Sequence, residues 1–317
     1  NSEGQVEWAT STPVSIESIV ERENGEYIAI GNYSGNVTIG DYNFTSVDNS
    51  TDGLIIKYSE SGEVKWATSV GGNNSDFINQ IKLTRDNSYI ITGTFSKKTN
   101  IFGFVISADS SNHNCMIIQC RDLEVSITNI DQAINIGGND YDQINSVTPT
   151  KDGGFLAVGS FKETVTIGQD SLSSNGEEDG LIIKYNKNGE VEWAKSIGGK
   201  LFDSFNSVIE VNDGNYIVGG TFSGTITLGD YELNSKENAT AGMVIKYSNN
   251  GDVIWATSIN GDFYTEVLSI SESAEEGFVL GGIYSGTVTI ENYKLPEAES
   301  FAGMVIKYSN DGEVEWA

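Results

Sequence analysis

Residues 57–72 read KYSESGEVKWATSVGG, and nearly the same phrase returns as KYNKNGEVEWAKSIGG at 184–199 and KYSNNGDVIWATSING at 246–261. It starts again at Lys307 and runs to Trp316-Ala317, while its tail, GQVEWAT, stands at 4–10. All five tryptophans, Trp8, Trp66, Trp193, Trp255 and Trp316, belong to this phrase. They mark a period of roughly 62 residues with one Trp missing between 66 and 193, and a period of that size announces a repeat architecture.

The stretch from Gly198 to Trp255 shows one repeat most clearly. Phe205–Val211 alternates apolar and polar residues, as a half-buried strand does. Asn212-Asp213-Gly214-Asn215 is a turn cluster. Tyr216–Phe222 is a second strand, with Gly219 and Gly220 where another backbone comes close. Thr225–Leu228 and Tyr231–Leu233 flank Gly229-Asp230, the pattern of a short side hairpin. Gly242–Tyr247 is a continuous apolar strand, Asn249-Asn250-Gly251 a hairpin turn, and Asp252–Ile259 the last strand. Short connections make the four main strands antiparallel. No window carries a helical period.

The predicted fold is all-β: a β-propeller of about five four-stranded blades with side hairpins. The repeats run about 9–66, 67–132, 133–193, 194–255 and 256–317, within a single domain over 1–317. The Trp of each last strand is expected to wedge between neighbouring sheets, so that truncation to Ala costs roughly 3–5 kcal/mol. Six copies of the last-strand phrase serve five sets of the other strands. A closed ring can use only one terminal copy, which leaves GQVEWAT to complete the final blade with Gly312–Ala317 left over, the chain to be part of a longer array in a larger surface protein, or the terminal strands to pair with another chain.

Formal net charge is −27. Such a surface repels phosphate backbones and anionic membranes, so nucleic acid is an unfavourable partner. No apolar run of 18 residues exists, so no membrane span is predicted. The first residues lack a basic and then apolar leader, and an export signal is expected to be absent or already removed. Cys115 and Cys120 sit five apart on one predicted strand, pointing to opposite faces, and cannot bridge without a turn between them.

Repeat two departs most from the others. Ser96-Lys97-Lys98 stands where others have Ser-Gly-Thr, Asn100–Ile106 replaces the side hairpin, and a polar loop leads to the only histidine, His113. Gln132 stands where Trp would be. A feature of every blade is most simply scaffold, whereas a feature of one blade is not required by the architecture. Lys97, Lys98, Phe102, Phe104 and His113 are therefore the candidate interaction residues.

Asp76-Phe-Ile-Asn79, Asp142-Gln-Ile-Asn145 and Asp203-Ser-Phe-Asn206 share one spacing after a turn, and repeat five breaks it with Thr265 and Leu268. Short Asp and Asn side chains bond nearby backbone, so they are expected to pin turns and strand starts. Calcium is the rival reading, with Asp76, Asp140, Asp142 and Asp203 as candidate ligands, since hard cations take several oxygens. No EF-hand loop, G-x-S-x-G, H-E-x-x-H or P-loop occurs. N-x-[ST] sequons at Asn32, Asn36, Asn43, Asn49, Asn73 and Asn238 matter only in a glycosylating secretory route.

The motifs G-x-[FY]-S-G-T-[VI]-T-[IL]-G, D-G-[LM]-[IV]-I-K-Y and N-G-E-V-x-W-A make the chain resemble the bacterial β-propeller repeats of cell-surface and secreted proteins. The resemblance covers nearly the whole chain and is weakest across 97–135. It implies an exported, non-enzymatic module, extracellular or at the cell surface, with no catalytic residues to carry over. The expected role is surface display, adhesion or assembly, with a protein or glycan on a cell surface as partner, or self-association through terminal strands. A multivalent lectin with one sugar pocket per blade and a glycan-active enzyme on a propeller scaffold are the alternatives.

Overall fold

The structure is a computed structural model and describes residues 6, 8–101, 104–108, 113–121, 129–138 and 140–317, with the backbone only at His113 and Asn129. Among the described residues the secondary structure is β-strand apart from one 3-10 turn, Val47–Asn49. No helix is long and apolar enough to cross a membrane. The chain divides into two compact units, Asn1–Gln143 and Ile144–Ala317.

In the first unit, blade one consists of Ser15–Glu21, Tyr27–Ser34, Thr51–Tyr58 and Val64–Gly72, paired antiparallel in chain order. Its side hairpin is Asn36–Ile39 with Tyr42–Thr45. Blade two repeats the plan with Phe77–Leu83, Tyr89–Ser96, His113–Arg121 and Asn129–Gly138. Sequence reading lost its side hairpin, but Lys98–Ile101 pairs with Phe104–Ser107 at the usual place. The hairpin persists because Thr99 and Ile101 still alternate inward while Lys98 and Asn100 face solvent.

In the second unit, blade three has strands Asp142–Pro149, Phe155–Ile167, Asp170–Tyr185 and Val191–Ile197. Its hairpin is continuous with the two middle strands, which pair down to Ile167↔Asp170. Blade four has strands Asp203–Glu210, Tyr216–Ser223, Thr240–Tyr247 and Val253–Ile259. Blade five has strands Tyr264–Glu272, Phe278–Gly286, Ala298–Tyr308 and Val314–Trp316. The four-stranded, propeller-type blade read from the repeats is thus present five times. The last blade takes its fourth strand from the C-terminal copy of the phrase, with Lys307 opposite Trp316.

Blades stack through one recurring contact. The first strand of a blade drives two apolar residues into the middle of the preceding sheet, which is cleared by glycine. A Cβ at Gly53 would lie 3.0 Å from Ile78, one at Gly180 would lie 3.2 Å from Phe205, and one at Gly219 would lie 2.6 Å from Val267. Within each sheet, the second strand's Gly lets a neighbouring carbonyl approach. A Cβ at Gly31, Gly93, Gly220 or Gly282 would fall about 2 Å from the backbone oxygen of Ser15, Phe77, Ser204 or Glu266.

The tryptophans seal the outer edge as wedges. Three cap the positive-φ glycine in the last turn of a following blade, Trp8 on Gly62, Trp193 on Gly251 and Trp255 on Gly312, whereas Trp316 is 45% exposed, which corrects the expectation of a wedge in every last strand. The Trp193 indole also donates to the Asn249 carbonyl, 3.1 Å away. Trp66 is buried, while Trp193 and Trp255 are half-buried. Cys115 and Cys120 are both buried and are not joined by a disulfide, as their places on one strand require.

A second device was not anticipated. The Lys of each I-K-Y segment is buried and ion-paired: Lys57 with Glu26, Lys184 with Asp152, and Lys246 with Asp213, each at 2.8 Å. Lys307 meets Glu315 at 2.9 Å. The ammonium holds the Glu26 carboxyl below its usual range, and with neighbouring donors does the same for Asp152 and Asp213 against the opposing effect of burial.

Candidate functional site

The aspartates of the shared D-x-x-N spacing sit at blade junctions. Asp203 accepts from the Gly199 amide at 2.7 Å and the Ser223 amide at 3.2 Å. Asp142 accepts from the Gly138 amide at 2.7 Å, and Asp76 from the Ser96 amide at 3.3 Å. All three are fully buried. Turn pinning is therefore their work. Asp140 accepts from the Tyr141 amide at 2.8 Å and stands apart from Asp76 in the chain's next turn region. Among the described residues, no group of three or more His, Cys, Asp or Glu could hold a metal ion.

The asparagines of the same motif have a different task, which sequence reading merged with the first. Asn145 reaches across to the next blade and donates to the Phe205 carbonyl at 2.8 Å, and Asn206 donates to the Val267 carbonyl at 2.9 Å. They set the register between blades.

A second aspartate joins the first at two junctions. Asp52 and Asp179, each opening a D-G-L-I-I-K-Y segment, lie against Gly71 and Gly198, where a Cβ would meet the carboxyl at 2.4 and 2.2 Å. Burial pushes Asp76 up to about 7, and the charge of Asp52 adds to this against bonds from the Ser96 and Gly72 amides. Burial likewise pushes Asp203 up to about 7, with Asp179 adding. Burial raises Asp52 and Asp179 as well. Two adjoining carboxyls out of water disfavour double ionisation.

Above the Asp52–Asp76 pair lies an open groove of about 490 Å³, lined by Val47, Asp48, Asn49, Ser50, Asn73, Asn74, Ser75, Ser96 and Lys97. Its lining is amide and hydroxyl, with one carboxylate and one ammonium. Three of these residues, Asp48, Asn49 and Lys97, have positive φ, of 48°, 56° and 59°. Lys97 occupies the turn where blades one, four and five place Gly35, Gly224 and Gly286. A left-handed lysine costs on the order of 1 kcal/mol relative to glycine, and such strain gathers at functional sites.

The corresponding rims in the second unit are closed. A Cβ at Gly224 would lie 3.4 Å from Leu201, and one at Gly286 would lie 2.9 Å from Phe263. At the latter rim Lys236 also pairs with Asp262 at 2.8 Å. Asn74 holds the place of Leu201 and Phe263, and blade two replaces an apolar residue over glycine by Asn74 and Lys97; blade three departs at the same two places, with Asp140 and Glu163, the latter at a φ of 61°. A cleft of about 400 Å³ beside the blade-four hairpin is crossed by existing contacts, the Tyr231 hydroxyl on the Ile254 carbonyl and Lys195 facing Asp252 at 3.6 Å.

Of the candidate interaction residues, Lys97 lies in the groove. Lys98 and Phe104 are exposed on the blade-two hairpin next to it. Phe102 lies outside the described residues, as do most of the polar loop before His113 and the longer turn at 122–128. His113 pairs its backbone with Ser96. Sequence reading found Lys97 through its departure from glycine, but missed Asn74, whose significance appears only beside Lys97.

No known family matches the chain. An uncharacterised WD repeat-containing protein of Acanthamoeba polyphaga mimivirus is 25% identical over 154 residues, 44% of this chain and 11% of that protein. The chain thus spans a small part of that relative's length. WD repeats are propeller blades, in agreement with the sheets described above. Among solved structures, Sqt1 from Chaetomium thermophilum covers 87% of this chain and 81% of its own, at 11% identity and a TM-score of 0.34. A protein of unknown function from Bacteroides caccae covers 60% and 84%, at 12% identity and 0.21.

Proposed function

We propose that the chain is a non-enzymatic, propeller-type binding scaffold for surface display or adhesion, working outside the cell or on its surface. The groove at Asn74 and Lys97 takes a neutral, hydroxyl-rich ligand, an oligosaccharide. The observation that carries this reading is the paired departure at one junction, where Asn74 and a strained Lys97 stand in place of a glycine covered by Leu201 or Phe263. Amides and hydroxyls match sugar hydroxyls as donors and acceptors. The non-enzymatic part is supported by the lining, which brings one carboxylate, Asp48, where glycoside hydrolysis uses two flanking carboxyls. The repeat motifs' resemblance to exported bacterial propellers supports the extracellular placement.

The test is a glycan array probed with the full chain, with and without calcium. Binding to a set of neutral oligosaccharides, weakened at least tenfold by Lys97→Gly, is expected. Binding to none of them, or binding indifferent to Lys97→Gly, removes the reading.

A further inference from the structure

The side hairpin of blade four, Thr225–Leu228 with Tyr231–Asn234, stands away from its sheet where those of blades one and three touch theirs. In blades one and three the glycine of the hairpin turn lies over the valine of the last strand: a Cβ would be 3.1 Å from Val64 at Gly40 and 3.6 Å from Val191 at Gly168. At Gly229, the same place in blade four, a Cβ would meet nothing within 4 Å. The turn does not rest on Val253, and the cleft of about 400 Å³ opens there. That volume lies in the range of small-molecule sites.

The cleft joins apolar walls to a few polar groups. Ile197, Leu228 and Val253 form part of its lining. Tyr247 belongs to the lining as well and is 1% exposed, and among the described residues its hydroxyl has no hydrogen-bond partner. Neither contact that crosses the cleft reaches it. The Tyr231 hydroxyl donates to the Ile254 carbonyl, as Tyr42 does to Lys65 in blade one, and Lys195 faces Asp252. A buried donor left unpaired costs stability, and such groups in folded proteins find a protein, water or ligand partner. Burial pushes the Tyr247 phenol up, which keeps it a donor. Asp230 and Asp252 are the exposed carboxylates of the lining.

Blade five shows what suits this place. Its turn carries Glu291 where blade four has Gly229. Burial raises the counterpart phenol, Tyr308, and the Glu291 carboxylate raises it further. The chain itself thus brings to that tyrosine an acceptor oxygen that blade four lacks.

We infer that the blade-four cleft binds a small neutral carboxamide with an apolar body. Its carbonyl accepts from the Tyr247 hydroxyl, its N–H groups donate to Asp230 or Asp252, and its apolar part lies against Ile197, Leu228 and Val253. The two carboxylates and the net charge of −27 disfavour an anion in the same place. An amine brings no acceptor for the phenol. The cleft lies wholly in the second unit and shares no residue with the groove at Asn74 and Lys97.

The experiment titrates the full chain with benzamide, benzoate and benzylamine, followed by ligand-observed NMR. Saturable benzamide binding is expected, with a Kd on the order of millimolar for so small a molecule. Benzoate and benzylamine should bind at least tenfold more weakly. Tyr247→Phe should weaken benzamide at least fivefold and leave the melting temperature equal to wild type or higher, because the free protein loses no bond. Gly229→Glu, which installs the blade-five residue, should abolish binding. The inference is overturned by no saturable benzamide binding, by benzoate bound as tightly, or by binding indifferent to either substitution. A lower melting temperature for Tyr247→Phe also overturns it, since the hydroxyl would then be satisfied already. If Gly229→Glu fails to fold, Tyr247→Phe still decides.

Discussion

The junction of blades one and two and the junction of blades four and five use one backbone plan to opposite ends. The second is apolar and shut: Ala241 and Thr265 occupy the aspartate positions, Phe263 lies over Gly286, and Lys236 pairs with Asp262. The first keeps two buried carboxyls, sets Asn74 and Lys97 at the rim, and stands open. Stacking of the sheets needs only the glycine-cleared face and the two apolar residues that enter it, which both junctions have. The rim is therefore free to vary.

The largest break in this comparison comes from the shared part. Val267→Asp buries a charge against Gly219 and should cost about 4 kcal/mol or more in urea unfolding. The same change at Val305, which is 52% exposed, should cost under about 0.5 kcal/mol. Equal losses would mean that the two faces are not different. Trp193→Ala should cost about 3 kcal/mol, because the indole seals Gly251 and bonds Asn249, and Trp316→Ala under about 1 kcal/mol.

The polar part predicts a pH dependence. Asp76 and Asp203 have folded pKa values raised to about 7, so the fold favours their protonated forms. The stability they lend is complete below about pH 4 and is lost as pH rises through about 7. Wild type should melt several degrees lower at pH 8 than at pH 5, and Asp76→Asn with Asp203→Asn should flatten that slope. A slope left unchanged would show that the pair titrates elsewhere. Glu26, Asp152 and Asp213 act in the opposite sense, their contribution being lost only as pH falls through their lowered values. Lys97→Gly alone should stabilise by about 1 kcal/mol by relieving positive φ.

The blades were legible because strands write a period of two and repeats write it again. Phe205–Val211 and Tyr216–Phe222 could be placed from alternation and turn residues alone. The blade-two hairpin was not, because Lys98-Thr99-Asn100-Ile101 keeps the alternation while changing every residue that marks it elsewhere. The buried lysines were invisible for a related reason. A lysine in an apolar run reads as a strand edge until its carboxylate, Asp213 for Lys246, is brought beside it by the fold. Of the candidate site, Lys97 was legible as a departure from glycine. Asn74 was not, since it lies in an irregular turn more than twenty residues earlier and means nothing until the sheet sets the two side by side.

The most direct test converts the open rim into the closed one. Asn74→Phe with Lys97→Gly installs the blade-five arrangement at the junction of blades one and two. The account predicts a melting temperature equal to or above wild type, together with loss of the oligosaccharide binding expected on the array. Binding that survives with the rim closed would contradict it.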